Sequence, residues 1–124
     1  MRQLNVVVAQ LDSNNAQHLA ASLYRHFRSV AVARSLEELR DAIPLTHADV
    51  AIVDLELVGL ADLEDLHRTY QDASIVCTHR CADEEMWASA LAAGATDMCS
   101  STDVEDIVYC TLRNLDAAAA SQAA

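Results

Sequence analysis

Short β-branched runs alternate with amphipathic stretches five times along this chain. That alternation constrains the fold more than any other feature. Leu4 to Ala9, Ser29 to Ala33, Asp49 to Asp54, Ser74 to Thr78 and Thr96 to Cys99 read as strands. Between the first two, Leu19, Leu23 and Phe27 recur at helical spacing, behind Ser13 or Asn14 as a cap. Ser35 with Glu38 forms a capping box for a second helix that should stop before Pro44. Ala61 to Tyr70 and Ala82 to Ala93 make the next two helices, the latter stopped by Gly94. Thr102 or Asp103 caps the last, whose inner face carries Val104, Ile107, Val108, Thr111 and Leu115. Continuous apolar strands are buried on both faces, so five βα units predict a parallel sheet with helices on both sides. The class is α/β, doubly wound. Residues 1–116 form one domain, and the alanine-rich 117–124 reads as a tail or the start of a linker.

A chain of 124 residues buries about two-thirds of its unfolded surface and needs no disulfide or metal to hold a core. Its net charge of −11 opposes direct binding to nucleic acid or to an anionic membrane. The basic residues are all arginines, which excludes a lysine Schiff base, and two glycines cannot build a phosphate-cradling loop. An enzyme is therefore not expected. The N-terminal apolar run is too short for a signal peptide, and no stretch nears the ~20 apolar residues of a membrane span. Cys77, Cys81, Cys99 and Cys110 are expected as reduced thiols in a cytoplasmic protein.

Open parallel sheets place their sites beyond the carboxyl ends of the strands. Here those ends carry Gln10, Leu11 and Asp12, then Asp54 and Glu56, then Thr78, His79 and Arg80, then Ser100 and Ser101. Asp54 stands out because it ends a buried central strand. A carboxylate there loses solvation and needs a partner or a task, and a capping or loop-bonding role competes with a functional one.

The order of Asp49 to Asp54 (DVAIVD), Thr78 closing the fourth strand, and Ala93 to Asp97 (AGATD) before the fifth resembles the receiver domain of bacterial two-component response regulators. The likeness spans nearly all of Leu4 to Leu115 and implies a flavodoxin-like (βα)5 fold. It implies that Asp54 is the phospho-acceptor and that Thr78 contacts the phosphoryl group. It also implies a role in signal transduction through protein contacts.

Four departures from the family pattern follow. Two acidic residues usually follow the first strand and hold Mg²⁺; here Gln10 and Leu11 stand there, with Asp12 one step late. Mg²⁺ needs near-octahedral oxygen ligands. Two unit charges at 4 Å interact by about 4 kcal/mol at an effective dielectric of 20, so losing a carboxylate weakens the metal by orders of magnitude. Any Mg²⁺ held by Asp54 with Asp12 or Glu56 is expected to be weak. The family lysine aligns with Ser101, leaving Arg80 as the nearest candidate phosphoryl-contacting cation. His79 replaces a small residue, and Met98 replaces the switching aromatic.

The expected function is therefore a degenerate receiver, docking a downstream effector with phosphorylation impaired or lost. The alternative is a working receiver that takes phosphate from a histidine kinase onto Asp54, with Asp12 or Glu56 rescuing Mg²⁺. A third reading is the regulatory domain of a larger protein, such as a pilus-assembly ATPase or a transcription regulator. Trp87, Tyr109 and Leu112 are the expected interface residues, on a face of the last two helices and last strand that would also support a homodimer. Cys77, His79 and Cys81 alternate, but not at the spacing of a common zinc motif. His18, His26, His47 and His67 read as solvated.

Overall fold

The structure is a computed structural model that describes residues 4–123, with side chains through residue 115. Strands and helices alternate: β1 (Asn5–Ala9), α1 (Ser13–Leu23), β2 (Ser29–Ala33), α2 (Leu36–Leu45) and β3 (Val50–Asp54). They continue with α3 (Leu60–Thr69), β4 (Ser74–His79), α4 (Glu84–Ala92), β5 (Asp97–Ser100) and α5 (Val104–Ala123). All pairings are parallel, in the order β2-β1-β3-β4-β5. Of the alanine-rich 117–124, the backbone of 117–123 continues α5; its side chains and residue 124 lie outside the described residues.

The inner strands β1, β3 and β4 bury both faces, as their unbroken apolar runs predict, while the edge strand β2 leaves Val32 exposed. On one face Val7, Ala51, Val53, Ile75 and Cys77 pack against Leu39 and Ile43 of α2, Leu63 and Leu66 of α3 and Ala90 of α4. On the other, Val6, Val8, Ile52, Val76 and Cys99 pack against Leu19 and Leu23 of α1 and Ile107, Cys110 and Leu115 of α5.

Helix boundaries shift from expectation by a residue or two, α3 to Leu60–Thr69 and α4 to Glu84–Ala92 behind the Asp83 cap, and two further differences have a clear local reason. Asp12, not Ser13 or Asn14, caps α1: its backbone is extended, and its carboxylate accepts from the N–H groups of Asn14 and Asn15. The second helix does not stop before Pro44 but runs through it to Leu45. Proline removes the N–H that would serve the Arg40 carbonyl. The Tyr70 hydroxyl takes that place, donating to Arg40 O at 3.0 Å. Ser35 caps α2 as expected, accepting from Glu38 N, while the Glu38 carboxylate reaches past the cap to Arg34 N. Gly94 ends the α4 turn at φ +111°, where a Cβ would lie 2.4 Å from the His67 ring.

Candidate functional site

The strand ends assemble the site. Side chains alternate across a strand, so Gln10, Asp54 and Thr78 continue the face of Val8, Ile52 and Val76, towards α1 and α5. The β3–β4 register sets Asp54 directly beside Thr78. All three are buried, Thr78 completely.

Each oxygen of the Asp54 carboxylate accepts a backbone hydrogen bond. Oδ2 takes the Leu11 N–H at 3.0 Å and Oδ1 the Glu56 N–H at 2.9 Å. These bonds replace the solvation that burial removes. Thr78 is bonded across β3 to the end of β1: Gln10 Nε2 donates to Thr78 Oγ1 at 3.0 Å and to Ala9 O at 3.2 Å. Asn15 Nδ2 donates to Ser101 O at 2.6 Å, tying α1 to the loop after β5. Around this floor opens a cleft of about 550 Å³, with Leu11, Asp12, Asp54, Glu56, Arg80 and Ser101 on its walls.

The cleft gathers the expected residues, but their groups are already engaged. Arg80 does not stand free for a phosphoryl group. Its Nη2 pairs with Glu56 Oε2 at 2.8 Å, and its Nε and backbone N–H both reach Glu56 Oε1. The Arg80 side-chain hydrogen bonds hold the Glu56 carboxyl below the usual carboxylate range. Asp12 is occupied as the α1 cap. The donor set therefore does not fit a Mg²⁺ nest: Leu11 offers no oxygen from its side chain, and the Gln10 amide is bound to Thr78. Among the described residues, Asp12, Asp54 and Glu56 do not bring their oxygens within 4.8 Å of one another as a trio.

Sequence reasoning missed Asn14, Asn15, His18 and Thr102, which also line the cleft. A signal existed, since Asn14, Asn15 and His18 recur at helical spacing on the polar face of the first helix. His18 is exposed, as expected, but on the cleft side. The Cys77–His79–Cys81 alternation does not converge. Cys77 sits in the core, where burial, with the nearby Asp54 charge adding to it, pushes its thiol up to about 12. His79 Nδ1 accepts the Cys81 N–H. Of the expected interface residues, Trp87 and Tyr109 are exposed at 47% and 63%, whereas Leu112 is half-buried against the core.

No family model matches the chain, and no curated protein matches it. Solved structures do. NtrX from Brucella abortus superposes with a TM-score of 0.86 at 17% identity, over 98% of this chain and 28% of that one. A two-component response regulator from Clostridium difficile gives 0.79 at 19% identity, over 90% and 93%. The receiver domain of a Francisella response regulator gives 0.79 at 17%, over 93% and 99%. The chain has the receiver fold. It spans just over a quarter of the Brucella protein and nearly the whole of the other two.

The departures from the receiver pattern now have positions in that fold. Met98 is buried beneath α4 in the core of the sheet. Ser101 is buried beside the cleft, with its N–H donating to His79 O. Among the described residues no helix is long and apolar enough to cross a membrane.

Proposed function

We propose that this receiver-fold chain is a cytoplasmic signalling module that acts through protein–protein contact, with Mg²⁺-dependent phosphorylation of Asp54 impaired. The observation that carries the reading is the prior engagement of the Asp54 oxygens, Thr78 and Arg80. The Asp54 oxygens hold two backbone N–H groups, Thr78 is bonded to Gln10, and Arg80 is bonded to Glu56. Phosphoryl transfer depends on neutralising charge at the acceptor. Among the described residues lining the cleft, Asp12, Asp54 and Glu56 face one arginine, Arg80, so an incoming phosphoryl group adds negative charge to an already negative cleft. At 4 Å and an effective dielectric of 20 each such encounter costs about 4 kcal/mol.

The partner is a protein, either a histidine kinase or a downstream effector, and the net charge of −11 disfavours direct contact with nucleic acid or an anionic membrane. The docking face is that of α4, β5 and α5, where Trp87 and Tyr109 are exposed; it also suits a homodimer. Catalysis by this chain is not part of the reading.

Two observations favour other readings. Asp54 lies at the floor of an open cleft in register with the buried Thr78, as a working phospho-acceptor with its hydroxyl neighbour requires. The coverage of only 28% of the Brucella NtrX chain favours a regulatory domain within a longer protein. Amide NMR of the chain titrated with Mg²⁺ and beryllofluoride, a phosphoryl mimic, separates the first two. No saturable shift at Leu11, Asp54 or Thr78 is expected. Saturable shifts that vanish in Asp54→Ala would establish the working receiver instead.

A further inference from the structure

Away from the cleft, between β5 and α5, the structure brings together three groups of a different chemistry. Cys99 on β5 faces Asp106 and Cys110 on α5, and the two thiol sulfurs and a carboxylate oxygen all lie within 4.8 Å of one another. Asp106 and Cys110 are four residues apart, so they share one helical face, and the parity of β5 turns Cys99 towards it. We propose that Cys99, Asp106 and Cys110 form a site for a thiophilic divalent cation, Zn²⁺, which would clip α5 to β5.

The ligand chemistry and the spacing both suit that ion. Thiolates select Zn²⁺ over the hard cations, and Zn–S and Zn–O distances of about 2.3 and 2.0 Å place tetrahedral ligands roughly 3.5–3.8 Å apart. A closure of at most about 1.3 Å completes the triangle. Cys99 and Cys110 are buried, whereas Asp106 is exposed, so the carboxylate leaves the fourth position open to water and gives the ion a way in.

Electrostatics favour a cation over a disulfide here. Burial pushes the Cys99 thiol well up, with Cys110 and the carboxylates of Asp97 and Asp106 adding to it. Cys110 is raised chiefly by burial too. Two such thiols are poor nucleophiles for disulfide exchange, and an incoming Zn²⁺ has to displace their protons, so its binding tightens as pH rises. A divalent cation reverses the balance, since it is attracted by the same carboxylate that repels a thiolate. Bound to two thiolates and one carboxylate it leaves a single net negative charge. The Arg113 guanidinium, 3.8 Å from Cys110 Sγ, lies beside that charge.

The test uses the whole chain, reduced and stripped of metal, titrated with Co²⁺ as a spectroscopic stand-in and then with Zn²⁺. One equivalent of Co²⁺ is expected to give a near-ultraviolet thiolate-to-metal band and tetrahedral visible bands, both removed by Zn²⁺. Cys110→Ser should abolish the two-thiolate spectrum. Asp106→Asn is exposed and keeps the fold; it should weaken Zn²⁺ by about tenfold while retaining the band. The proposal is overturned by no band at one equivalent, by a charge-transfer band of undiminished intensity in Cys110→Ser, or by Zn²⁺ affinity unchanged in Asp106→Asn. A Cys99–Cys110 disulfide in freshly isolated protein, seen as two missing free thiols, would overturn it as well.

Discussion

Replacing Leu11 by Asp restores a carboxylate to the cleft edge and should tighten Mg²⁺ by about 30-fold. The Leu11 side chain lines the cleft and is 57% exposed, so the bulk-water limit of Coulomb's law applies. Two unit charges ~4 Å apart in water interact by about 1 kcal/mol. Mg²⁺ carries twice the charge, which gives about 2 kcal/mol, or roughly 30-fold in affinity. The fold loses about 1 kcal/mol per neighbouring carboxylate before metal binds, because the new charge joins Asp12 and Asp54 in the cleft. Leu11 serves Asp54 through its backbone N–H, which the substitution leaves in place. Amide NMR titration with Mg²⁺ at two ionic strengths provides the assay, following Asp54, Glu56 and residue 11. The gain should shrink at high salt, because exposed charges are screened within about 10 Å at 0.1 M. An unchanged affinity, or a wild-type chain that already binds as tightly as Leu11→Asp, would refute the reasoning that a missing carboxylate limits the metal.

Tyr70→Phe removes the hydroxyl that serves the Arg40 carbonyl and should cost about 1 kcal/mol in urea unfolding. In a Pro44→Ala background the restored N–H takes that carbonyl, so the same change should cost less; an equal cost in both backgrounds would count against the assigned role. Gly94→Ala places a side chain at φ +111° and against the His67 ring, and should destabilise by about 1–3 kcal/mol in the same assay. Burial pushes the Asp97 carboxyl up, but hydrogen bonds from Asn114, Met98 N and Arg113 outweigh it and hold its pKa below the usual value of 3.8. The folded value is thus the lower one, so this stabilisation is complete above about pH 4 and is lost as pH falls through the folded pKa. Asp97→Asn should therefore flatten the acid limb of stability against pH, measured by thermal unfolding from pH 2 to 6.

The division between sequence and structure shows in particular residues. The alternation of short β-branched runs with helical spacings carried the five βα units, because periods of two and 3.6 are properties of the local chain. Asp54 was legible because it ends the apolar run that becomes the central strand β3. The cap of α1 lies one or two residues before the expected Ser13 or Asn14, since Asp12, Ser13 and Asn14 are all good caps and only backbone geometry selects among them. Pro44 read as a stop because the partner that rescues its helix, Tyr70, is distant in sequence.

The site follows the same rule. Sequence order placed Gln10, Asp54, Glu56, Thr78 and Arg80 at one edge of the sheet, because a doubly wound parallel sheet sends every strand end there. Which groups bond to which was decided by tertiary structure. Glu56 takes Arg80, Thr78 takes Gln10, and Asp54 takes two backbone N–H groups. The meeting of Cys99 with Asp106 and Cys110 likewise appears only once α5 packs on β5. Patterning is local and survives in the sequence. Pairing depends on strand register and on side-chain directions set by packing, which exist only after the chain has folded.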